Sequence, residues 1–137
     1  MPRKADVKTV PRSDARGAIT KAEEFLGAAE VAANAAQWNA CGLGAIHAGI
    51  SAADAVLAAE AGLRSASQDH GFVVRLLEAN VPTFSAQQRR HLAGLLQMKN
   101  TVAYENRLVT ETEARQLLDH ARRFVRWARQ IVDDAGV

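Results

Sequence analysis

The sequence predicts an all-α fold, an antiparallel bundle of about five helices. Apolar residues recur at three- and four-residue spacing from Ser13 almost to the C-terminus, which is the period of one helix face. Two stretches, Ser85-Ala-Gln-Gln88 and Thr110-Glu-Thr-Glu113, have the form of a capping box at a helix start. No stretch alternates as a half-buried strand would, and no internal repeat is evident.

The first helix is expected over 14–36, with Ile19, Ala22, Leu26, Ala29 and Ala33 on its inner face. A second starts near Trp38 or Asn39 and ends at Ala61, where Gly62 can close it as a C-cap. Leu43, Ile46, Ile50, Ala53 and Leu57 define its buried stripe, and Ala45, Gly49 and Ala53 make a ridge of small residues beside it. Residues 63–68 read as a loop. Asp69 can cap a third, short helix over 70–79, directing Phe72, Val73, Leu76 and Leu77 inward. Pro82 ends that segment, and the Ser85 box opens a fourth helix over 86–103. In the fifth, over 111–133, nine apolar residues from Ala114 to Val132 share an arc of about 140°.

Composition fits one domain over 13–137, preceded by a flexible basic arm, residues 1–12, carrying Arg3, Lys4, Lys8 and Arg12. Hydrophobic residues make up 48% and aromatics only 5%, so alanine, leucine and valine must fill the interior and helix axes can approach closely. The formal charge of +2 says little about partners by itself. A lone cysteine, Cys41, excludes an internal disulfide and fits a reducing, cytoplasmic setting. No signal peptide is visible in the polar, basic first residues. Residues 40–63 are long and apolar, but His47, Asp54 and Glu60 argue against a membrane span, since a charge at bilayer depth costs roughly 2.5–3.5 kcal/mol.

Chemistry is most conspicuous on the fourth helix. Leu92, Leu95, Leu96, Val102 and Ala103 mark its apolar face, and Lys99 projects into the middle of that arc. A buried ammonium is neutralised, paired or led out along its stem. Lys99 therefore either lines a cleft or subunit interface holding an anion, or covers core with its stem. Asn100 follows directly. Tyr104 would point about 140° away from Lys99 on an ideal helix, so the two converge only if the helix ends between them or a second subunit supplies its own copies.

The stretch Leu96-Gln-Met-Lys-Asn-Thr-Val-Ala-Tyr104, the Thr110–Glu113 cap and the pattern Ala114…Leu117-Leu118…Ala121…Phe124-Val125 resemble the C-terminal half of HEPN domains. Trp38 to Leu57, then Asp69-His70-Gly71 and Phe72–Leu77, are similar to that family's second and third helices, and the resemblance runs over about 18–132. It implies a helical bundle that dimerises. Many members are metal-independent endoribonucleases or toxins, often paired with a nucleotidyltransferase antitoxin or found in defence systems. The family's active motif is an arginine, a polar residue and a histidine about five positions after the arginine, meeting its copy across a dimer cleft.

Here Lys99 stands at the arginine position, Asn100 at the polar one and Tyr104 at the histidine. Histidine moves protons near neutral pH because its ordinary pKa is about 6.5, while tyrosine's is near 10. Lysine lacks the guanidinium fork that grips a phosphate with two bonds. The resemblance thus implies binding or assembly without hydrolysis. The expected binding cleft is Lys99, Asn100, Tyr104, His47 and Asp54, and the candidate catalytic groups, should the chain cut RNA, are Lys99, Tyr104 and His47.

His47 enters because His47, Ser51 and Asp54 share one flank of the second helix, where a carboxylate can orient an imidazole. The alternative is a hydrogen-bond network at the core boundary. His70 sits at a helix start, and His91 and His120 project toward helix surfaces. No Cys/His cluster, HExxH or phosphate-binding Gly-rich loop is present, so neither metal nor cofactor is expected.

Arg115, Arg122, Arg126 and Arg129 lie within about 60° on the last helix and, with the arm, can contact RNA phosphates. A solvated face paired with Glu111, Asp119 and Asp133 is the competing reading. Trp127 suits a protein contact or the core rim equally. Three functions follow: a non-catalytic dimeric module for RNA, nucleotide or a protein partner; an active metal-independent endoribonuclease toxin; and a structural assembly subunit.

Overall fold

The computed structural model describes residues 6–137, except the side chain of His70. Helices dominate: α1 (Asp14–Asn34), α2 (Trp38–Ala61), α3 (His70–Asn80), α4 (Ala86–Gln97), α5 (Lys99–Tyr104) and α6 (Glu111–Ala135). Two short strands, β1 (Val7–Thr9) and β2 (Leu63–Ser65), pair antiparallel with Lys8 opposite Arg64.

That small sheet corrects the expectation of a flexible arm and of a loop after Gly62. Val10 N–H donates to the Gly62 carbonyl at 2.9 Å, Ala66 N–H to that of Asp6 at 2.8 Å, and Arg12 Nε to that of Ala59 at 2.7 Å. The segment from Asp6 to Arg12 is therefore tied to the end of α2. Arg3 and Lys4 of the expected arm lie outside the described residues.

Each helix boundary has a local cause. The αL conformation of Ala36 (φ 57) closes α1, with Gln37 N–H donating to the Ala32 carbonyl and Ala36 N–H to that of Ala33, the Schellman arrangement. Gly62 (φ 62) closes α2. Asp69 caps α3 by accepting from Gly71 N–H. At α4 the box is half made: Ser85 accepts from Gln88 N–H, but the buried Gln88 Oε1 has no partner among the described residues. At α6 it is complete, and Arg107 grips Glu113 with two bonds, at 2.9 and 3.1 Å.

The expected fourth helix is interrupted. Met98 N–H donates to Leu95, three residues back, a tight turn that ends α4 and re-aims the chain into α5. Nothing on α5 is fully buried.

α2 is the centre, packed against α1, α6, α3, α4, α5 and β2. It is long and apolar enough to cross a membrane by length and composition, and 67% of its most apolar window is buried inside this fold. Between Cys41 and Ala59 only Leu43, Gly44, His47, Ile50 and Asp54 escape full burial. The expected stripe is thus corrected: Leu43 is 36% exposed, and Ile50 is half-buried. Alanines bury the rest of the circumference, and the small ridge works internally, Gly49 lying under Leu95 of α4.

Candidate functional site

Leu43, His47, Ile50 and Asp54 follow one another at four- and three-residue spacing, so they form a single outward line on α2. α1 borders this line on one side, with Gly44 against Phe25 and Ala29. α4 and α5 border it on the other.

On the α4–α5 side lies an open recess of about 650 Å³, lined by Asp54 and Ile50 of α2, Arg64 of β2 and the Lys99, Asn100 and Tyr104 of α5. Lys99 is half-buried there, while Tyr104 is 77% exposed at the edge. The sequence left two routes by which Lys99 and Tyr104 converge. The recess unites them within one chain, because α5 begins after the break at Met98 and stops at Tyr104.

A second recess, of about 430 Å³, lies on the α1 side. Asp54 and Arg64 line it too, facing Ser13, Lys21 and Ser51. Asp54 and Arg64 therefore stand between the two recesses. Burial pushes the Asp54 carboxyl above its ordinary range, against the pull of Arg64 and Lys21.

His47 does not line the first recess among the described residues. Its ring packs on Phe25, centroids 5.3 Å apart. Burial first, then the charges of Lys99 and Lys21, hold its pKa below the ordinary value. It has no hydrogen bond to Asp54 among the described residues, so the supposed imidazole–carboxylate relation is replaced by an aromatic contact. Lys99 lines the recess on the α4–α5 side and Lys21 the one on the α1 side, and the charges of both reach His47.

None of Arg115, Arg122, Arg126 and Arg129 lines either recess. Arg115 pairs with Glu111 at 2.8 Å and lies over the Trp38 ring at 5.0 Å. Arg122 pairs with Glu30 and Arg129 with Glu23, both at 3.1 Å, and Arg129 also reaches Asp133. Two of these arginines thus clamp α6 to α1, which spacing along α6 alone could not reveal. Arg126 has no ion pair among the described residues. Trp127 is half-buried between Phe84 and Phe124, with centroids 5.9 and 5.4 Å away, a core-rim position.

The sequence reading missed Arg64 and Lys21. Arg16, Arg75, Arg89, Arg107, Arg115, Arg122, Arg123 and Arg129 each pair with a carboxylate. Lys21, Arg64 and Lys99 form no ion pair among the described residues, and all three gather around the line on α2. No local motif signals this, because the three come from α1, β2 and α5. It also missed His91 and His120, expected at helix surfaces: His91 is buried and touches His120. Cys41 is buried, and burial pushes its thiol pKa up, which suits an inert core thiol.

Fold and recess together define an all-α module with a cation-bordered groove on its central helix. The chain belongs to the HEPN domain family, whose model matches residues 15–131. No curated protein matches it.

Proposed function

We propose that this HEPN chain binds single-stranded RNA in the α2–α5 recess without hydrolysing it, and works as a homodimer. The observation that carries the reading is that Lys99 and Arg64, with no ion pair among the described residues, both line the α2–α5 recess, where Asp69 is already paired with Arg75. Unpaired cations beside a groove attract a polyanion and release its counterions on binding. Tyr104 supplies an exposed ring at the edge, and stacking on such a ring suits unpaired bases. Asn100 adds an amide for a base edge or a sugar hydroxyl.

The absence of hydrolysis rests on the groove's chemistry. No histidine lines it among the described residues, and His47 is held against Phe25. For the dimer, Leu108 between α5 and α6 is 72% exposed, an apolar side chain that a second copy would cover. A nucleotidyltransferase-type partner encoded next door is the setting this reading proposes.

Fluorescence anisotropy with a labelled oligoadenylate of about eight nucleotides tests it. Binding is expected at low salt, and Lys99→Glu should weaken it by about tenfold or more. The oligonucleotide should stay intact on a denaturing gel with EDTA present. Cleavage, or binding indifferent to Lys99→Glu, overturns the reading.

A further inference from the structure

We infer that the bound strand does not end in the α2–α5 recess but crosses between Asp54 and Arg64 into the α1 recess, where Lys21 takes a further phosphate. The inference rests on the RNA reading and adds to it the length and course of the ligand.

The two recesses have two walls in common, Asp54 and Arg64. The recesses are therefore neighbours, and a strand passing over the exposed Arg64 would reach the second from the first. Cations mark the whole course: Lys99 in the first recess, Arg64 at the crossing, Lys21 in the second. Lys21 Nζ lies 6.0 Å from the Phe25 ring centroid, so the ammonium is held over the α1–α2 seam, where both Asp54 and His47 feel its charge. Arg64 is also directly opposite Lys8 in the β1–β2 pair. Like charges in that position destabilise a sheet, and an anion at the crossing would relieve them.

The second recess, at about 430 Å³, falls within the size range of small-molecule sites. Val10, Ala18 and Ala58 give it apolar wall for a base, with the Ser13 and Ser51 hydroxyls nearby. The Asp54 carboxylate has no hydrogen-bond partner among the described residues. It repels phosphate, so a base edge faces it at the crossing, and its oxygens accept from an exocyclic amine such as adenine N6.

The test measures oligoadenylates of about three and about eight nucleotides against wild type and Lys21→Ala, from about 50 to 200 mM salt. Wild type should bind the longer strand with a log–log salt slope of about −2, from three phosphate contacts at about 0.7 each. Lys21→Ala should reduce that slope by about 0.7 and weaken the longer strand several-fold, leaving the shorter one unchanged. Thermal melting should be the same for both proteins, since Lys21 is exposed. A slope indifferent to Lys21→Ala, or equal losses for both lengths, overturns the crossing while the RNA reading stands. Failure of wild type to bind either strand overturns both.

Discussion

Nδ1 of His91 on α4 sits 3.0 Å from Nδ1 of His120 on α6. Two neutral rings can share that contact only if one donates a proton and the other accepts. Gly94 makes the approach possible, because a Cβ there would lie 2.7 Å from His120 Nε2. Burial lowers both pKa values below the ordinary 6.5. Arg90 on α4 and Arg123 on α6 push the same way, as does His120 on His91, and Asp119 on α6 opposes them.

Acidification should therefore loosen α4 from α6. With folded-state pKa values below 6.5, the unfolded chain takes up more protons as pH falls through that value, so stability must drop with it. Melting temperatures measured from about pH 7.5 to 5.5 should fall for wild type and fall less for His91→Leu, which removes the pair. Equal slopes for the two proteins would show that the contact does not govern the acid response.

The turn between α1 and α2 carries a different strain. Ala36 holds φ 57, where an L side chain costs about 1–2 kcal/mol. Glycine adopts that conformation freely but loses more entropy on folding, roughly 0.5–1 kcal/mol. Ala36→Gly should thus stabilise by up to about 1 kcal/mol in urea unfolding, with an unchanged m-value. A loss of stability would mean that the Ala36 methyl contributes packing that its exposure gives no sign of.

Gly49 is a close-approach glycine within a helix. A Cβ there would lie 2.4 Å from Leu95 Cδ1, and Leu95 is fully buried, so it cannot swing aside cheaply. Gly49→Ala should cost about 1–3 kcal/mol despite alanine's better helix propensity. Leu95→Ala alone should cost about 2–5 kcal/mol. Combined with Gly49→Ala it should cost less than the sum, because the new methyl occupies part of the vacated space. Additive losses would place the damage elsewhere on α2.

These features also mark what the sequence made legible. α6 was plain, because its apolar arc and the Thr110–Glu113 box are local signals, and the Asp69 cap and Gly62 were equally local. The break at Met98 was not, since neither glycine nor proline announces it and the apolar pattern runs on through Val102. Strands of three residues are too short for alternation to register, so β1 and β2 escaped notice. On α2, alanine made nearly every face suitable for burial, and the true outward line emerged only from what packs around it. For the site, Lys99, Asn100, Tyr104 and Asp54 were found in sequence and share one recess, whereas Arg64 and Lys21 reach it through tertiary packing.

Tyr104 offers a separation of ring from hydroxyl. It lies on α5, where nothing is fully buried, so substitution there should leave the melting temperature unchanged. If a base stacks on its ring, Tyr104→Ala should cost about 1–3 kcal/mol of RNA binding, roughly a 5- to 150-fold loss of affinity. Tyr104→Phe keeps the ring and should stay close to wild type. The salt slope should be the same in all three proteins, since stacking releases no counterions, whereas loss of Lys99 should lower it by about 0.7. Equal losses for Phe and Ala would assign the contact to the hydroxyl, and no loss for either would remove Tyr104 from the groove's working surface.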